Sequence, residues 1–348
     1  MNKRIFAGVA GLALFAVLAA TPAGAQSSPS AEQFYKGNTF RIISGAGNAS
    51  GYTIWSRFIG QFVGRHIPGN PTVVVDSMPG AGGMIATNYI YNAAPKDGRE
   101  IASVARETPS LSMLHSPGVQ WDSLKFNWLG TPTSDINICI VGANSPIKTV
   151  EDLYTHESTM GTDGVGSGMH IFPVALDEIL GMKMKTIDGY ADSGVAMLAV
   201  DRGEIDGVCQ SAETLVLQRG DEIKSGKARV VLQAGLKPSP QFPNVPFVLD
   251  LAKTQEQKQE LSFLYASQAF GRPFVAPPGT PANRVAALQQ AFMDTFKDPD
   301  FLAGAKTQGY TINPISGQDM TAMVQELGKT PQPVLDVVAR LTTPVGSR

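Results

Sequence analysis

Residues 39–62 read TFRIISGAGNASGYTIWSRFIGQF, and the pattern of this stretch indicates how the chain is organised. Residues 39–44 are mostly β-branched or aromatic and predict a short buried strand. A glycine-rich loop follows at 45–51. From residue 52 to residue 65, apolar side chains such as Trp55, Phe58 and Ile59 recur at helical spacing. The stretch therefore predicts a strand, a glycine-rich loop and a helix in direct succession.

The same order returns immediately downstream. Residues 71–76 (PTVVVD) predict a second buried strand, residues 77–83 (SMPGAGG) a second glycine-rich loop, and residues 84–94 a helix. A third short strand is expected at 101–105. Because strands and helices that alternate in this way form a parallel sheet covered by helices, the expected fold class is α/β.

Two isolated strand-like runs, at 137–141 and 229–233, bracket a middle segment that contains a third glycine-rich loop at 161–168. Because the chain enters and leaves this segment once, we expect two lobes, each a central sheet flanked by helices, joined by two crossover strands at a hinge. The predicted boundaries are 26–136 together with 234–348 for lobe 1, and 137–233 for lobe 2. This is the architecture of a hinged binding protein with a ligand cleft between two sheets.

The three glycine-rich loops suggest the chemistry of the ligand. Each loop follows a strand and opens a helix, so its backbone N–H groups lack partners within the helix and lie where the helix dipole is positive. Such helix ends bind carboxylate or phosphate groups without a cationic side chain, and glycine lets the anion approach the backbone. Further hydrogen bonds are expected from Asn48, Ser50 and Tyr52 in the first loop, and from Thr162 and Ser167 in the third.

The N-terminus has the pattern of a secretory signal peptide. Lys3 and Arg4 precede a small apolar run at 5–20, which is followed by Ala23-Gly24-Ala25. The run is shorter than the roughly 20 residues that a transmembrane helix needs, and small residues suit signal peptidase. We expect residues 1–25 to be removed by cleavage near Ala25 and the remaining chain to be exported to the periplasm. An uncleaved anchor is the alternative.

Composition excludes several classes of function. The formal net charge is −2 with no block of like charge, which argues against a nucleic-acid partner. The histidines and cysteines lack the spacing of metal ligands, so no metal site is predicted. Cys139 and Cys209 either form a disulfide in an oxidising compartment or remain two separately buried thiols, and the sequence leaves both possibilities open.

Two enzymatic interpretations use the same loops. Gly45, Gly47 and Gly51 form GxGxxxG after a strand, and Asp76 ends the next strand, as in an oxidoreductase that binds a nicotinamide dinucleotide. The glycine spacing departs from GxGxxG, and an exported protein leaves the compartment that holds soluble dinucleotides. A hydrolase would need Ser167 and His170 to act together, but the chain has no GxSxG motif.

Ordered sequence blocks along the chain resemble one family. The most specific block is MPGAGG at 78–83, and it is followed among others by GEID at 203–206 and APPGTP at 276–281. In this order they resemble the solute receptors of tripartite tricarboxylate transporters, the Bug-type receptors. The resemblance implies a type II-like periplasmic binding protein fold, the Venus flytrap, and a receptor with neither enzymatic activity nor a cofactor.

The resemblance also implies a function. The receptor is expected to capture a small carboxylate-bearing metabolite in the interlobe cleft and to deliver it to membrane permease subunits of a tripartite tricarboxylate-type transporter. An exported receptor that lacks its own permease and acts in ligand sensing is the alternative. A monomer is expected.

By the same resemblance, the first two loops hold one ligand carboxylate, and the second lobe covers the ligand. The predicted ligand-binding residues are Ser44, Gly45, Gly47, Asn48, Ser50, Gly51, Tyr52, Gly80, Ala81, Gly82, Gly83, Thr162, Gly164, Ser167, Tyr190 and Gln210. Tyr190 is equally compatible with a packing role, and Asp206 is expected to brace its turn. Arg57 is expected to pair with a carboxylate at the surface, whereas Arg272 could reach the cleft as a carboxylate clamp.

This chain departs from the family pattern at two positions that bear on ligand specificity. Tyr52 places a bulky phenol at the mouth of the first loop, where an aromatic acid could stack on it. Gln210 stands where relatives often have an aspartate. Carboxylate capture remains the expectation, and the rest of the ligand is left open.

Overall fold

The computed structural model of the protein describes residues 30–342 except Ala49, Val165, Gly166 and Asp192. The predicted signal peptide lies outside the described residues. Within them, the chain forms two β-sheets flanked by helices, as the sequence predicts. None of the described helices has the length and apolar character that crossing a bilayer requires.

The strands fall into two sheets according to their position in the chain. In chain order they are β1 (Thr39–Ser44), β2 (Thr72–Ser77), β3 (Glu100–Ser103), β4 (Asn127–Thr131), β5 (Asn137–Gly142), β6 (Ser158–Thr162), β7 (Met184–Asp188), β8 (Gly207–Ser211), β9 (Ala228–Ala234), β10 (Phe274–Ala276) and β11 (Ile315–Ser316). The first sheet has the order β11-β4-β10-β3-β1-β2, and the second has the order β7-β6-β8-β5-β9.

The first sheet is mixed. β1 pairs in parallel with β2 on one side and with β3 on the other. β10 enters between β3 and β4 in the antiparallel direction. The parallel sheet that the sequence predicts is therefore found in β1 to β3 only, because β10 comes from a distant segment and not through a strand-helix-strand crossover.

In the second sheet, β6 is parallel to β7 and β8, and β5 is antiparallel to its neighbours β8 and β9. The chain leaves β4 at Thr131 and enters β5 at Asn137. The amino end of β5 therefore shares one sheet edge with the carboxyl ends of β6, β7 and β8. This edge and the carboxyl edge of β1 to β4 lie at the two ends of one short connection.

Helices cover both sheets. In chain order they are α1 (Ala31–Tyr35), α2 (Gly51–Val63), α3 (Met84–Asn92), α4 (Thr108–Met113), α5 (Asp152–Thr155), α6 (Gly168–Leu180), α7 (Ser193–Asp201), α8 (Ala212–Ser225), α9 (Gln255–Phe270), α10 (Ala282–Thr295), α11 (Pro299–Thr307), α12 (Gly317–Leu327) and α13 (Gln332–Thr342). α2 begins where the Ser50 hydroxyl accepts a hydrogen bond from the Tyr52 N–H, and it buries Trp55, Phe58 and Ile59.

Two helices of the C-terminal segment lie against the second lobe. α9 and α13 pack on each other and on α6, and the rings of Phe172 in α6 and Tyr265 in α9 stack at 5.0 Å between centroids. One continuous buried cluster thus includes residues from both predicted lobes. The strands follow the predicted lobe boundaries, whereas α9 and α13 cross them, and the boundaries stay a prediction.

Candidate functional site

Three serines mark the carboxyl edge of the first sheet. Ser44, Ser77 and Ser103 end β1, β2 and β3, and the strand register places Ser44 beside both of the others. The Ser44 hydroxyl lies 2.7 Å from the Thr53 Oγ1, and the Ser77 hydroxyl donates to the carbonyl oxygen of Ala46. The Ser103 hydroxyl is buried without a hydrogen-bond partner among the described residues. The edge therefore offers one unpaired hydroxyl.

A cavity of about 350 Å³ opens at this edge between the first two glycine-rich loops. Its lining consists of Gly45, Ala46, Gly47, Ser50, Tyr52, Pro79, Gly80, Gly82, Gly83, Ser103 and Ala105. Seven of the predicted ligand-binding residues are among them, and Ala46, Pro79, Ser103 and Ala105 are additions. The first and second loops thus meet at one cavity, and the end of the third strand contributes to it as well.

The backbone of both loops presents hydrogen-bond donors at this cavity. The N–H groups of Ala46, Gly47 and Gly82, which line the cavity, donate to no acceptor among the described residues. The second loop runs through positive φ angles of 138° at Gly80, 47° at Ala81, 63° at Gly82 and 94° at Gly83. Successive N–H groups in turns of this kind make a concave site for an anion. The arrangement suits a carboxylate.

Gly45 permits the two loops to approach each other. A Cβ atom at Gly45 would lie 3.2 Å from the Cα and 3.3 Å from the carbonyl oxygen of Gly83. Both distances are tighter than ordinary contacts of a side chain with backbone. Because Gly45 has no side chain, the first loop can lie directly against Gly83 of the second loop at this wall of the cavity.

Four predicted residues of these loops do not line the cavity. The Ser44 hydroxyl is used by Thr53, and the Asn48 side chain is held by the Arg57 guanidinium, whose Nη2 lies 2.5 Å from the Asn48 Oδ1. Gly51 and Ala81 also lie outside the lining. Arg57 was expected to pair with a surface carboxylate. That expectation is wrong, because Asn48 lies within its reach and accepts two of its hydrogen bonds.

The predicted residues of the second lobe lie at or just after the carboxyl ends of β6, β7 and β8, and none of them lines this cavity. Thr162 donates to Asp188, which also bonds the His170 Nδ1 at 2.7 Å. Burial raises the pKa of Asp188, but the hydrogen bonds from Thr162 and His170 outweigh it and hold that pKa below its ordinary value. A compact polar cluster therefore lies at the ends of β6 and β7.

The remaining predicted residues of the second lobe have local roles. Ser167 caps α6 by accepting from the His170 N–H at 3.2 Å, and the Gln210 Oε1 accepts from the Ser211 N–H at 2.8 Å. Tyr190 packs against the core of this lobe. Gly164 has a φ of 141° and open space around it. Gln210 and Ser167 are thus engaged with backbone, and Tyr190 has the packing role that the sequence left open.

Asp206 braces its turn, as expected. Its carboxylate accepts from the Ser145 hydroxyl at 2.9 Å and from the Thr159 N–H and hydroxyl, both at 2.8 Å. Cys139 and Cys209, directly opposite each other on β5 and β8, form a disulfide. The choice that the sequence left open between paired and free thiols is thereby decided in favour of the pair.

The two enzymatic interpretations find no support in the geometry. Asp76, the candidate ribose ligand, forms an ion pair with Arg41 at 2.5 Å. Ser167 bonds the backbone of His170, whereas the imidazole of His170 bonds Asp188. A serine nucleophile requires a hydrogen bond to the imidazole itself. Among the described residues, no cluster of three or more potential ligands is placed to bind a metal ion.

Tyr52 lies between two arginines. Its hydroxyl accepts from the Arg106 N–H at 3.1 Å, and the Arg272 guanidinium carbon lies 4.6 Å from its ring centroid. Arg106 also donates to the Gln268 Oε1 at 2.8 Å. Burial is the largest of the effects that raise the pKa of Tyr52, followed by the Glu107 carboxylate. Arg272 does not line the cavity itself but covers one face of the Tyr52 ring, which does.

Comparisons with known proteins agree with this architecture. The model of the family described as the tripartite tricarboxylate transporter family receptor matches residues 65–339. A relative from Cupriavidus necator, described as a UPF0065 protein in the gbd 5' region, is 27% identical over 326 residues, which are 90% of this chain and 91% of that protein. A second UPF0065 protein, from Bordetella bronchiseptica, is 24% identical over 312 residues, 87% of this chain and 86% of that protein.

Solved structures show the same fold. A TctC solute binding protein from Polaromonas has a TM-score of 0.69 at 17% identity, covering 88% of this chain and 98% of that one. The MatC protein of Rhodopseudomonas palustris, solved with bound malate, has a TM-score of 0.54 at 16% identity, covering 88% of this chain and 99% of that one. A further protein of R. palustris, solved with adipate, has a TM-score of 0.55 at 16% identity, covering 88% and 97%.

Proposed function

The chain belongs to the tripartite tricarboxylate transporter receptor family, and from that premise we propose that it is a periplasmic receptor for a small carboxylate-bearing metabolite. The ligand binds between the lobes, with one carboxylate in the cavity between the first two glycine-rich loops. The second lobe then closes over it. The protein performs no catalysis on what it binds.

The observation that carries this proposal is the set of unpaired donors around the cavity. The N–H groups of Ala46, Gly47 and Gly82 and the buried Ser103 hydroxyl have no acceptor among the described residues. The hydroxyl of Ser103 is a buried polar group without a partner, which costs stability, whereas the three loop N–H groups lie at or near the surface, where an entering anion can reach them. No cation lines the cavity, so these donors and the dipole of α2 supply the attraction.

The solved relatives support a carboxylate as the ligand. One holds malate and another holds adipate. Both share the fold of this chain.

Closure of the cleft couples binding to transport. The lobes are joined by the connection after Thr131 and by the segment that follows β9, and we propose that they rotate about these two segments when ligand bridges them. The closed form is then recognised by membrane permease subunits of a tripartite tricarboxylate-type transporter. A receptor that acts in ligand sensing would use the same closure with a different partner.

A thermal-shift screen of the chain from residue 26 onward tests the proposal. The panel holds mono-, di- and tricarboxylates, aromatic acids, amino acids, sugars and nucleotides, because a ligand that binds only the folded state raises the melting temperature. We expect one class of carboxylates to stabilise the protein. Stabilisation by dinucleotides alone would instead favour the oxidoreductase.

A matched pair of glycine variants locates the binding site. Gly82 and Gly181 both have positive φ, 63° and 73°, and open space where a Cβ would lie. Gly82 lines the cavity, whereas Gly181 ends α6. Gly82→Val and Gly181→Val should each introduce similar backbone strain. Only Gly82→Val should abolish the ligand-induced shift, and equal shifts in the two variants would place the ligand elsewhere.

A further inference from the structure

Arg272 is the one described arginine whose side chain forms neither a hydrogen bond nor an ion pair with another described residue. Only its backbone N–H is used, donating to the Thr131 Oγ1 at 3.0 Å. Its side chain is half-buried, and its Nε is fully buried without a partner. A guanidinium taken partly out of water is costly unless an anion pairs with it. The half-buried Arg272 guanidinium therefore lacks the anionic partner that would stabilise it.

The topology of the sheet brings Arg272 to the cavity. Arg272 precedes β10, which runs antiparallel to β3, so the amino end of β10 meets the carboxyl end of β3. The Val104 N–H donates to the Pro273 carbonyl at 3.1 Å at this junction. Arg272 therefore lies at the same sheet edge as Ser103 and the glycine-rich loops.

Its surroundings hold the guanidinium in place without neutralising it. The guanidinium covers the Tyr52 ring at 4.6 Å, and its Nη2 would lie 3.5 Å from a Cβ at Gly51. The stack on Tyr52 is a cation–π contact, which orients the planar group. Tyr52 lines the cavity, so the guanidinium stacks directly on a residue of the cavity wall.

Two carboxylates, those of Glu213 and Asp135, lie on the side of the second lobe but do not pair with the Arg272 guanidinium. Glu213, in the first turn of α8, lies near enough that Arg272 and Arg106 act on its charge, yet no ion pair forms. Asp135 is occupied by the Ser211 hydroxyl and by the N–H groups of Ile136 and Glu213. The Arg272 guanidinium and the Glu213 carboxylate thus lie near each other without a direct ion pair.

We propose that Arg272 is a specificity-determining residue that pairs with a second anionic group of the ligand, so that the receptor selects diacids over monoacids of equal chain length. The inference rests on the proposed function, because the first carboxylate must occupy the cavity. Arg272 then binds the anionic group at the far end of the ligand, and the stack on Tyr52 orients the plane of the guanidinium. A bidentate pair with a carboxylate is the geometry for which this group is suited.

Calorimetry with matched ligands tests the proposal. The probes are succinate against butyrate, glutarate against pentanoate, and adipate against hexanoate, which differ only in the second carboxylate. Wild-type protein should prefer one diacid over its matched monoacid by roughly 10- to 100-fold, the range expected for a charge-assisted hydrogen bond. Arg272→Gln should remove most of that preference and leave monoacid affinity within about twofold of wild type.

Two further variants guard against a merely structural effect. Arg272→Lys keeps the charge without the planar fork, and it should retain part of the preference. Arg340→Gln removes an exposed arginine that pairs with Glu178 and does not line the cavity. This variant should retain the full preference for the diacid. If Arg272→Gln lowers diacid and monoacid affinity equally, or changes neither, the inference is overturned.

Glu213→Gln separates this proposal from its closest competitor, in which Arg272 waits to form an interlobe ion pair with Glu213 on closure. If Arg272 binds the ligand, the variant removes a competing carboxylate and diacids should bind more tightly. Weaker diacid binding would assign Arg272 to the interlobe latch instead. If none of these acids binds wild-type protein while another compound class does, the proposed function itself fails.

Discussion

Ser44 and Ser103 lie side by side at the ends of two parallel strands, and only one of their hydroxyl groups has a partner. Ser44 bonds Thr53 in the first turn of α2, which fixes the start of that helix. Ser103 is equally buried but faces the cavity. At this sheet edge, the Ser44 hydroxyl therefore stabilises the fold, whereas the Ser103 hydroxyl is free to bind a ligand.

Ser103→Ala should weaken ligand binding by roughly 10- to 100-fold, the value of one hydrogen bond to a charged group, because its hydroxyl would donate to the ligand carboxylate. The free energy of unfolding should not fall, because the variant removes a buried hydroxyl that no described group satisfies. Calorimetry with the ligand found by screening and urea unfolding without ligand measure the two effects. Ser77→Ala is the comparison: its hydroxyl bonds the Ala46 carbonyl, so that variant should lose stability. Unchanged affinity in Ser103→Ala would remove the hydroxyl from the binding site.

Gly45→Ala should separate the first two loops and reduce both affinity and stability. The added Cβ lies 3.2 Å from the Gly83 Cα, so backbone must move, at a cost of about 1–3 kcal/mol. Thermal unfolding and calorimetry measure the two losses. Gly220→Ala in α8 is the control, because its nearest neighbour lies 3.9 Å away and alanine favours a helix by about 0.5–1 kcal/mol. Wild-type affinity in Gly45→Ala would show that the loop spacing is not needed for binding.

The local pattern of the first lobe could be predicted from the sequence. β1, the loop after it, α2 and β2 are found close to their expected positions, because strand composition, glycine and helical spacing point to the same structure in each segment. The cavity between the first two loops follows from the same reasoning, since parallel strands bring their carboxyl ends together. The two strand-like runs that bracket the middle segment predicted the two-lobed arrangement, and the family resemblance added the type II-like binding protein fold.

Other features depend on contacts between distant segments. Arg272 reaches this sheet edge only because β10 pairs with β3 in the antiparallel direction, which no local pattern reveals. α8 and α9 were not predicted as helices, since α8 is interrupted by a non-helical Arg219 and α9 begins polar and ends buried. The pairing of Cys139 with Cys209 likewise required the register of β5 and β8.

The disulfide should stabilise the second sheet without taking part in binding. It closes a loop between residues 70 positions apart, and removing such a crosslink costs about 2–4 kcal/mol. The double variant Cys139→Ala/Cys209→Ala should lose that amount in urea unfolding, and wild-type protein should lose a similar amount in reducing agent. Neither cysteine lines the cavity, so the folded variant should keep its ligand affinity. A stability that is insensitive to reducing agent would contradict the bond.

Asp298 links the residues just after α2 to the start of α11, and its carboxylate should make the free energy of unfolding depend on pH in the acid range. Its carboxylate bonds the Arg65 Nε at 2.8 Å, the His66 Nε2 at 2.7 Å and the Asp300 N–H at 2.9 Å. Burial raises the pKa of Asp298, but these hydrogen bonds, led by that of Arg65, outweigh it and hold the pKa well below its ordinary value. Asp298→Asn should therefore cost about 1–3 kcal/mol at pH 7, as for a hydrogen-bonded charged group.

The sign of the pH dependence follows from the lowered pKa. In the unfolded chain the carboxyl titrates near about 3.9. Above that pH the charged form is present in both states and the full stabilisation is available, and it is lost as the pH falls toward the lower pKa of the folded state. Urea unfolding from pH 7 to pH 3 should show the gap between wild type and Asp298→Asn narrowing only below about pH 4. Asp221→Asn, at a carboxylate with 99% exposed side chain, should show no such gap. A gap that is constant over this range would mean that Asp298 stabilises through its cap geometry alone, without its charge.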